Sequence, residues 1–452
     1  MNPLTHPRFS RRSLLCGLGA TALLSRLGRM NALAQSSPDY KALVCIFLVG
    51  GNDGHNTIVP LTQAEFDAYH AGRGNMALPD NNGALLPVET PSGTPFGLNP
   101  GLAALHPLWA QGHLAVLANT GMLVGPINRQ QFLNNLAPVP TNLFSHSDQI
   151  QQMQSGYPST SGGTGWGARA ADALHALNGS STFPASISTN GQSLFCTGKI
   201  VQSASLLPGF DLDVSGLNLW PQSAAQARLT GLQQLLEFDS GLALIQSANQ
   251  VRKDALELNA LLRGNTATVN TVFPGTSLGN QLKQVAKIIA LRQSTGMSRQ
   301  VFFCSLGGFD THGSQSWQHW DLLRQVSEAV AAFYQSTQEL GVADRVTSFT
   351  LSDFGRSLQP SGSGTDHGWG NHHLIIGGAV QGGDVYGTFP NLALQGPDDC
   401  GSRGVLIPTT STEQYGATLA KWLGVSEADL PTIFPNLGNF GALALSDLGF
   451  MG

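Results

Sequence analysis

The chain has 452 residues, of which 41% are hydrophobic and only 11% are charged. This length and apolar content can bury a large core, and the 54 glycines indicate many tight turns. The formal net charge is −5 and no basic stripe is present, which argues against a nucleic-acid partner.

The amino terminus is typical of an export signal. A basic segment with paired Arg11 and Arg12 precedes an apolar stretch at 14–24, and an A-x-A cleavage site ends at Ala34. We predict a twin-arginine signal peptide at residues 1–34 and a periplasmic or secreted protein that uses the Tat translocon. About 11 apolar residues are too few to span a membrane, which requires roughly 20, so no stable span should remain after cleavage. Lipidation at Cys16 is the minor alternative.

Three apolar segments share one pattern, in which a strand ends in a turn that carries an aspartate. The segment 42–49 leads to Asp53, the segment 300–306 leads to Asp310 and His312, and the segment 346–351 leads to Asp353. Strands that are apolar throughout are typical of a parallel sheet buried on both faces, and such sheets bind ligands beyond the carboxyl ends of their strands. We therefore predict an α/β fold with a mostly parallel central sheet and one crevice shared by the three aspartates.

Other segments predict helices around this sheet. Residues 180–275 are interpreted as an inserted, mainly helical part of a domain that spans 35–452, and residues 316–340 form an amphipathic helix. Ser411 and Gln414 form a capping box that opens a packed surface helix ending at Gly424. A disulfide between Cys196 and Cys400 stays open from the sequence alone.

The aspartates and nearby histidines predict a metal site. Converging carboxylates repel one another unless a cation stabilises their ionised forms. Oxygen and imidazole ligands without thiolates suit one or two ions of zinc, manganese, magnesium or calcium. The candidate ligands are Asp53, Asp310, His312, Asp353 and His367. Simpler interpretations are a turn at Asp53, an ion pair between Asp353 and Arg356, and hydrogen-bonded loop histidines.

Several motifs together resemble a known family. They are the twin-arginine leader, GGNDGHNT, FSHSDQ, GGFDTH, LSDFGRS and the DHG before LIIGG, found across most of the chain. This set resembles the bacterial domain-of-unknown-function 1501 family, within the alkaline phosphatase-like (sulfatase-like) superfamily. The resemblance implies a three-layer sandwich, metal ligands at the five candidate positions, and a nucleophilic hydroxyl at Ser145, or alternatively Ser147. Phe354 departs from the pattern, because it stands where a second-metal histidine would follow the aspartate.

The leading hypothesis is an exported metal-dependent hydrolase of phosphate or sulfate esters, or of a related anionic envelope substrate. Ser145 would attack, and Arg356 or His146 would bind the substrate's equatorial oxygens. The alternative is a non-catalytic exported protein that binds metal or serves envelope assembly with a degenerate phosphatase-like site. A weaker third hypothesis is a carbohydrate- or surface-binding protein that uses the loop around Trp369.

Overall fold

A computed structural model describes residues 39–79, 84–159, 163–201, 203–209, 220–238, 241–264, 269–441 and 447–452. The predicted signal peptide and its cleavage site at Ala34 lie outside these residues. Within the described ranges, no helix has both the length and the hydropathy that crossing a membrane requires.

Fourteen strands are described, and nine of them form one central sheet. Their bounds are β1 Lys41–Val49, β2 Ile58–Pro60, β3 Leu86–Glu89, β4 Pro95–Leu98, β5 Leu114–Gly121, β6 Ser186–Ser188, β7 Ser203–Ser205, β8 Arg299–Gly307, β9 Val346–Ser352, β10 Arg356–Ser361, β11 Gly364–His367, β12 Asn371–Gly377, β13 Val385–Tyr386 and β14 Thr410–Ser411. The central sheet has the order β13-β5-β12-β9-β1-β8-β6-β7, with β14 also paired to β5. Among its described strands β12 alone runs antiparallel to its neighbours, so the predicted α/β class with a mostly parallel sheet is confirmed.

Helices cover this sheet. The α-helices are α1 Gln63–Arg73, α2 His106–Ala110, α3 Arg129–Leu133, α4 His146–Ser155, α5 Trp166–Ala173, α6 Gln222–Glu237, α7 Ala243–Gly264, α8 Ser277–Ala290, α9 Arg292–Thr295, α10 Gln315–Glu339, α11 Thr412–Leu423 and α12 Leu430–Ile433. Short 3-10 helices occur at Gly54–Asn56, Gly74–Met76, Pro100–Leu102, His175–Asn178, Leu194–Cys196, Ala343–Arg345 and Leu437–Phe440. Helices α8 and α10 pack together, as do α5, α11 and α12. Every residue of β5, β9 and β12 is buried, which requires cover on both faces of the sheet.

The site lies at one edge of the sheet because of strand direction. Strands β1, β8 and β9 are parallel and adjacent, so the turns that follow them meet at the same edge. Strand β12 runs the other way, so its amino end also reaches this edge. The hairpin of β10 and β11 lies between β9 and β12 in the chain and pairs Arg356 with His367.

Three details differ from the sequence interpretation. The segment 180–275 includes β6 and β7, which pair within the central sheet, and its long helices are α6 and α7. Helix α11 has the predicted capping box and glycine stop, but ten of its twelve residues are buried, so it is a core helix and not a surface helix. Cys196 and Cys400 are free thiols, so the disulfide left open by the sequence is absent between these two described residues.

Candidate metal centre

Four side chains direct ligand-type atoms at one another at this edge of the sheet. Nε2 of His367 lies 3.1 Å from Nε2 of His146 and 3.1 Å from Nε2 of His312. Oδ1 of Asp310 lies 3.5, 3.0 and 3.4 Å from the Nε2 atoms of His146, His312 and His367, respectively. We call these four residues the histidine cluster.

Three separate segments deliver the four members of the histidine cluster. Asp310 and His312 follow β8, and His367 ends β11 directly before β12. His146 is the first residue of α4, which starts more than 200 residues from its partner Asp353. Gly50 lets the turns after β1 and β8 approach, because a Cβ at its φ of +118° would lie 2.3 Å from the backbone nitrogen of Asp310.

The second ring nitrogen of each histidine faces an acceptor behind the cluster. Nδ1 of His146 bonds to Oδ2 of Asp353 at 2.7 Å, and Nδ1 of His367 bonds to the backbone carbonyl of Phe144 at 2.8 Å. Nδ1 of His312 lies 3.6 Å from Oδ1 of Asp366. The two hydrogen bonds favour a proton on Nδ1 of His146 and of His367 and direct their Nε2 atoms toward the cluster, which is the arrangement of metal-binding histidines.

Phe144 shows that the backbone itself is shaped around this site. Its φ is +75°, a left-handed conformation that is unfavourable for a bulky aromatic residue. Such strain persists only where surrounding contacts enforce it, and it is common at functional sites. Here the conformation accompanies a carbonyl that accepts the hydrogen bond from His367.

The surroundings shift the pKa values of three cluster members. The hydrogen bond to Asp353 raises the pKa of His146 above its usual value, whereas burial lowers the pKa of His367. Burial would raise the pKa of Asp310, but the hydrogen bond from Arg356 and the nearby histidines outweigh it and lower that pKa. Asp310 is therefore ionised at neutral pH and supplies the cluster with one negative charge.

The donor set fits one divalent cation. Nitrogen atoms of His146 and His367 and an oxygen of Asp310 all lie within 4.8 Å of one another, and His312 adds a third imidazole beside them. With Nδ1 protonated in both rings, the Nε2 lone pairs of His146 and His367 face each other across 3.1 Å, an arrangement that a cation stabilises. Three imidazoles and a carboxylate are ligands typical of zinc and also suit manganese.

The structure brings Asp310, His312 and His367 together, as the sequence predicts, but it places Asp353 differently. The Asp353 carboxylate accepts hydrogen bonds from the backbone N–H of Gly50 at 3.1 and 3.2 Å and faces the rear nitrogen of His146. Asp353 thus orients a cluster member instead of joining the converging atoms. His146, which the sequence suggests as a substrate-binding residue, instead directs a ring nitrogen at the converging atoms.

Asp53 also stands apart from the histidine cluster. Its Oδ1 lies 2.5 Å from Nη2 of Arg73, and both side chains have no exposed surface. Its Oδ2 accepts a hydrogen bond from Nε2 of Gln315. Burial would raise the pKa of Asp53, but the charge of Arg73 leads the effects that lower it, so the carboxylate is ionised and already paired. Each of its oxygens thus already has a hydrogen-bond donor, and the side chain has no exposed surface in this structure.

Arg356 has a structural role that differs from the predicted one. Its guanidinium is fully buried and donates to the carbonyl of Gly50 at 3.1 Å, to the carbonyl and hydroxyl of Thr365, and to Oδ1 of Asp310 at 2.8 Å. These acceptors take four of its five N–H donors and the side chain has no exposed surface, so Arg356 is not placed to bind the equatorial oxygens of a substrate in this structure. It fixes Asp310 instead.

The candidate nucleophiles lie at the start of α4. The Ser145 hydroxyl donates to Oδ2 of Asp148 at 2.6 Å and lies 3.1 Å from the hydroxyl of Ser147. Ser145 is half-buried and Ser147 is exposed. Ser145 immediately precedes the cluster member His146, but in this structure its hydroxyl faces Asp148, not the histidine cluster. Trp369 is buried, with its ring N–H donating to the carbonyl of Met122, so it offers no face to a ligand.

Two parts of the site could not be recognised from the sequence. The Phe144 carbonyl is a backbone group and leaves no side-chain signal. Arg73 ends a short amphipathic helix, where arginine is ordinarily exposed. The position of His146 in the cluster had a weak signal, since it is a histidine at a helix start beside two serines.

Comparison with solved structures gives distant similarities. The chain is similar to the C-terminal periplasmic domain of EcEptC from Escherichia coli, with 10% identity over 87% of this chain and 84% of that one and a TM-score of 0.32. It is similar to the PsFucS1 sulfatase from Pseudoalteromonas sp., with 10% identity over 80% and 67% of the two chains and a TM-score of 0.30. It is also similar to the phosphonate monoester hydrolase of Agrobacterium radiobacter, with 10% identity over 84% and 74% and a TM-score of 0.29.

Sequence comparison identifies the family. No curated protein matches the chain. A family model described as "Protein of unknown function (DUF1501)" matches residues 40–402, which include every member of the histidine cluster and the residues behind it. The chain therefore belongs to the DUF1501 family, as its motifs predict.

Proposed function

We propose that this protein is an exported hydrolase of phosphate or sulfate esters that works with one divalent cation bound at the histidine cluster. The observation that carries the proposal is the convergence of three imidazole nitrogens and one carboxylate oxygen, with acceptors behind the three rings. Such a cation supplies Lewis acidity toward an anionic ester. Zinc and manganese fit the donors best, while the oxygen-preferring magnesium and calcium fit them less well.

The chain's own residues prepare the site for this role. Asp353 and the Phe144 carbonyl hold His146 and His367 in the tautomer that can bind a cation, and Arg356 keeps Asp310 ionised and fixed. The cluster side chains are between 26 and 49% exposed, so a substrate can reach them. This combination of accessible ligands and buried supports favours a ligand-exchanging centre over a purely internal ion.

Ser145 is the proposed nucleophile. In the proposed step its oxygen bonds to the phosphorus or sulfur, the ester bond to the leaving alkoxide breaks, and the hydroxyl proton passes to Asp148, whose Oδ2 lies 2.6 Å away. Before this step the Ser145 oxygen has to turn toward the cluster, because the hydroxyl faces Asp148 in this structure. The alkoxide takes up a proton from water, and a second water then hydrolyses the seryl ester and restores the Ser145 hydroxyl. Ser147 remains the alternative nucleophile, since its hydroxyl also lies within 3.3 Å of Asp148.

The first experiment combines metal analysis with hydrolysis. Elemental mass spectrometry would be run on the mature protein, on His146→Ala and His367→Ala, and on the control His175→Ala, whose side chain is exposed on a short 3-10 helix. We expect about one ion in the wild type and control, and a loss in both cluster variants. Aryl phosphates and aryl sulfates would then be tested, with Ser145→Ala beside Ser147→Ala. A wild type without metal would refute the proposal.

A second candidate function is a non-catalytic metal-binding or envelope-assembly protein. Two observations favour it: Ser145 faces Asp148, and four protein donors can close a tetrahedral coordination shell, as in structural zinc sites. This candidate predicts a metal-loaded, folded protein that hydrolyses no ester. It also predicts that removing the metal lowers the thermal midpoint without changing any measured turnover.

Export is proposed from the sequence. Twin arginines at Arg11 and Arg12 predict passage through the Tat translocon with the fold, and any bound ion, already in place. Replacing both with lysine should retain the protein in the cytoplasm at its full, uncleaved mass. Unchanged export of that variant would contradict the assignment.

A further inference from the structure

The pairing of Asp53 contradicts the two-ion site that the resemblance implies. Asp53 follows β1 at the ligand-binding edge of the sheet, where the resemblance places a metal ligand. Instead, one oxygen is paired with Arg73 at 2.5 Å and the other accepts from Gln315, and the ion pair has no exposed surface. A carboxylate that is fully buried and ionised requires a positive charge beside it.

Arg73 reaches this carboxylate through a close helix contact. Helix α1 packs on β10 at Gly72, where a Cβ would lie 2.4 Å from the Leu358 side chain. The next residue, Arg73, turns inward and donates to the carbonyl of Ser357 at 3.3 Å as well as to Asp53. Its Nε is buried and finds no acceptor among the described residues. The ion pair with Asp53 is thus the main contact of the Arg73 guanidinium, as a carboxylate ligand is for a bound metal ion.

The space beside Asp353 also lacks a second imidazole. Phe354 occupies it, and its ring lies 4.7 Å from the ring of His146 and 4.7 Å from that of His367. A Cβ at Gly51 would approach the Phe354 ring to 2.6 Å, so the aromatic ring fills the gap between the β1 turn and the histidine cluster. A phenyl ring offers no ligand atom to a metal ion.

We propose that Arg73 is a built-in cation at Asp53, which takes the place of a second metal ion and restricts the chain to one divalent ion at the histidine cluster. The proposal rests on the proposed function for that one ion. It assigns to Asp53 and Arg73 a positioning role and not a catalytic one.

A continuous hydrogen-bond path connects this fixed pair to the histidine cluster. Gln315 donates to Asp53 and accepts from the Thr365 hydroxyl at 2.6 Å. Nε of Arg356 lies 3.1 Å from the same hydroxyl, and its Nη1 donates to Asp310 at 2.8 Å. Asp53 is thus paired with Arg73, and Asp310 is paired with Arg356. Through the hydrogen bonds of Gln315 and Thr365, the buried first pair supports the second pair, which borders the histidine cluster.

The test measures how many zinc ions each variant binds and whether added guanidinium displaces one of them. The mature protein, Arg73→Ala, Arg73→Lys and the charge-neutral double variant Arg73→Met with Asp53→Asn would be titrated with zinc against a chromophoric chelator. Arg299→Ala is the matched control, since Arg299 is a buried arginine paired with Asp39 elsewhere in the fold. Circular dichroism would establish that each variant is folded.

We expect one ion in the wild type, Arg73→Lys, the double variant and the control. Arg73→Ala should bind a second ion, because Asp53 then lacks a cation while Asn52 and His319 supply further donor atoms nearby. Added guanidinium chloride at millimolar concentration should displace that second ion and restore the count to one.

Contrary results are distinct. Two ions in the wild type, or one ion in folded Arg73→Ala, would overturn the role of Arg73 alone. If Arg73→Ala does not fold, the double variant decides, because a second ion bound without the Asp53 carboxylate would overturn the proposal, whereas a single ion at the cluster is the expected result. No ion in the wild type would overturn the proposed function and this inference together.

Discussion

Replacing Asp353 with asparagine tests the support behind the histidine cluster. The change removes the negative charge that accepts from His146 at 2.7 Å, while the amide oxygen can still accept from the Gly50 N–H. Carboxylates behind metal-binding histidines typically contribute 10- to 100-fold in metal affinity, or roughly 1.4 to 2.7 kcal/mol. Because the Asp353 side chain has no exposed surface, we expect a loss near the upper end of that range.

Two matched variants calibrate this effect in the same zinc competition titration. Asp366→Asn changes a carboxylate that is 40% exposed and 3.6 Å from His312, so its effect should stay below about tenfold. Asp148→Asn alters a half-buried carboxylate at the start of α4 that bonds to serines and not to a histidine, and should leave the zinc affinity unchanged. If folded Asp353→Asn bound zinc within about threefold of wild type, or no worse than Asp366→Asn, the orienting role would be refuted.

Three further predictions concern stability, measured as the free energy of unfolding in urea. Gly50→Ala should cost about 3 kcal/mol, because its Cβ would collide with the backbone of Asp310. Gly74→Ala should cost about 1 kcal/mol, because the space around the added Cβ is open. Equal losses of stability in the two variants would contradict the packing argument. Burial raises the pKa of Glu413 to about 7 from 4.5, so the free energy of unfolding of the wild type should fall by on the order of 3 kcal/mol as the pH rises from 4.5 to 7. Glu413→Gln should lack this pH-dependent loss. The same loss in the variant would contradict the prediction. Burial lowers the pKa of His373 to about 3, so the native state loses stability as pH falls below 6.5. His373→Phe should reduce that acid sensitivity, and an unchanged loss of stability below pH 6.5 would contradict the assignment.

The sheet was predictable because its signal is local. The runs before Asp53, Asp310 and Asp353 are apolar at nearly every position, and the strands begin and end within one or two residues of those runs. Parallel pairing then brings the three turns to one edge without further information. Asp310, His312 and His367 could therefore be assigned to a common site from the sequence.

The partners of those residues depend on tertiary packing. Asp53 and Asp353 have the same sequence context, yet Asp53 meets Arg73 because α1 packs closely on β10, and Asp353 meets His146 because α4 begins beside it. The second contact joins residues 207 positions apart. A sequence pattern identifies a strand-end carboxylate, but it does not show which cation or imidazole lies opposite.

Arg356 shows that sequence spacing does not identify the partners of a charged side chain either. Its spacing from Asp353 predicts a local ion pair or a substrate-binding guanidinium. The β10–β11 hairpin instead turns it under the site, where Gly50, Thr365 and Asp310 satisfy its donors. Burial of a charged residue follows from the complete set of acceptors around it, which is assembled from three separate segments.

Anomalous diffraction from crystals of the mature protein grown with zinc tests the central claim most directly. We expect one strong peak about 2.0–2.2 Å from the Nε2 atoms of His146, His312 and His367 and from a carboxylate oxygen of Asp310, and no peak at Asp53. A peak bound to Asp53 and Asp353, or no peak within the histidine cluster, would contradict it.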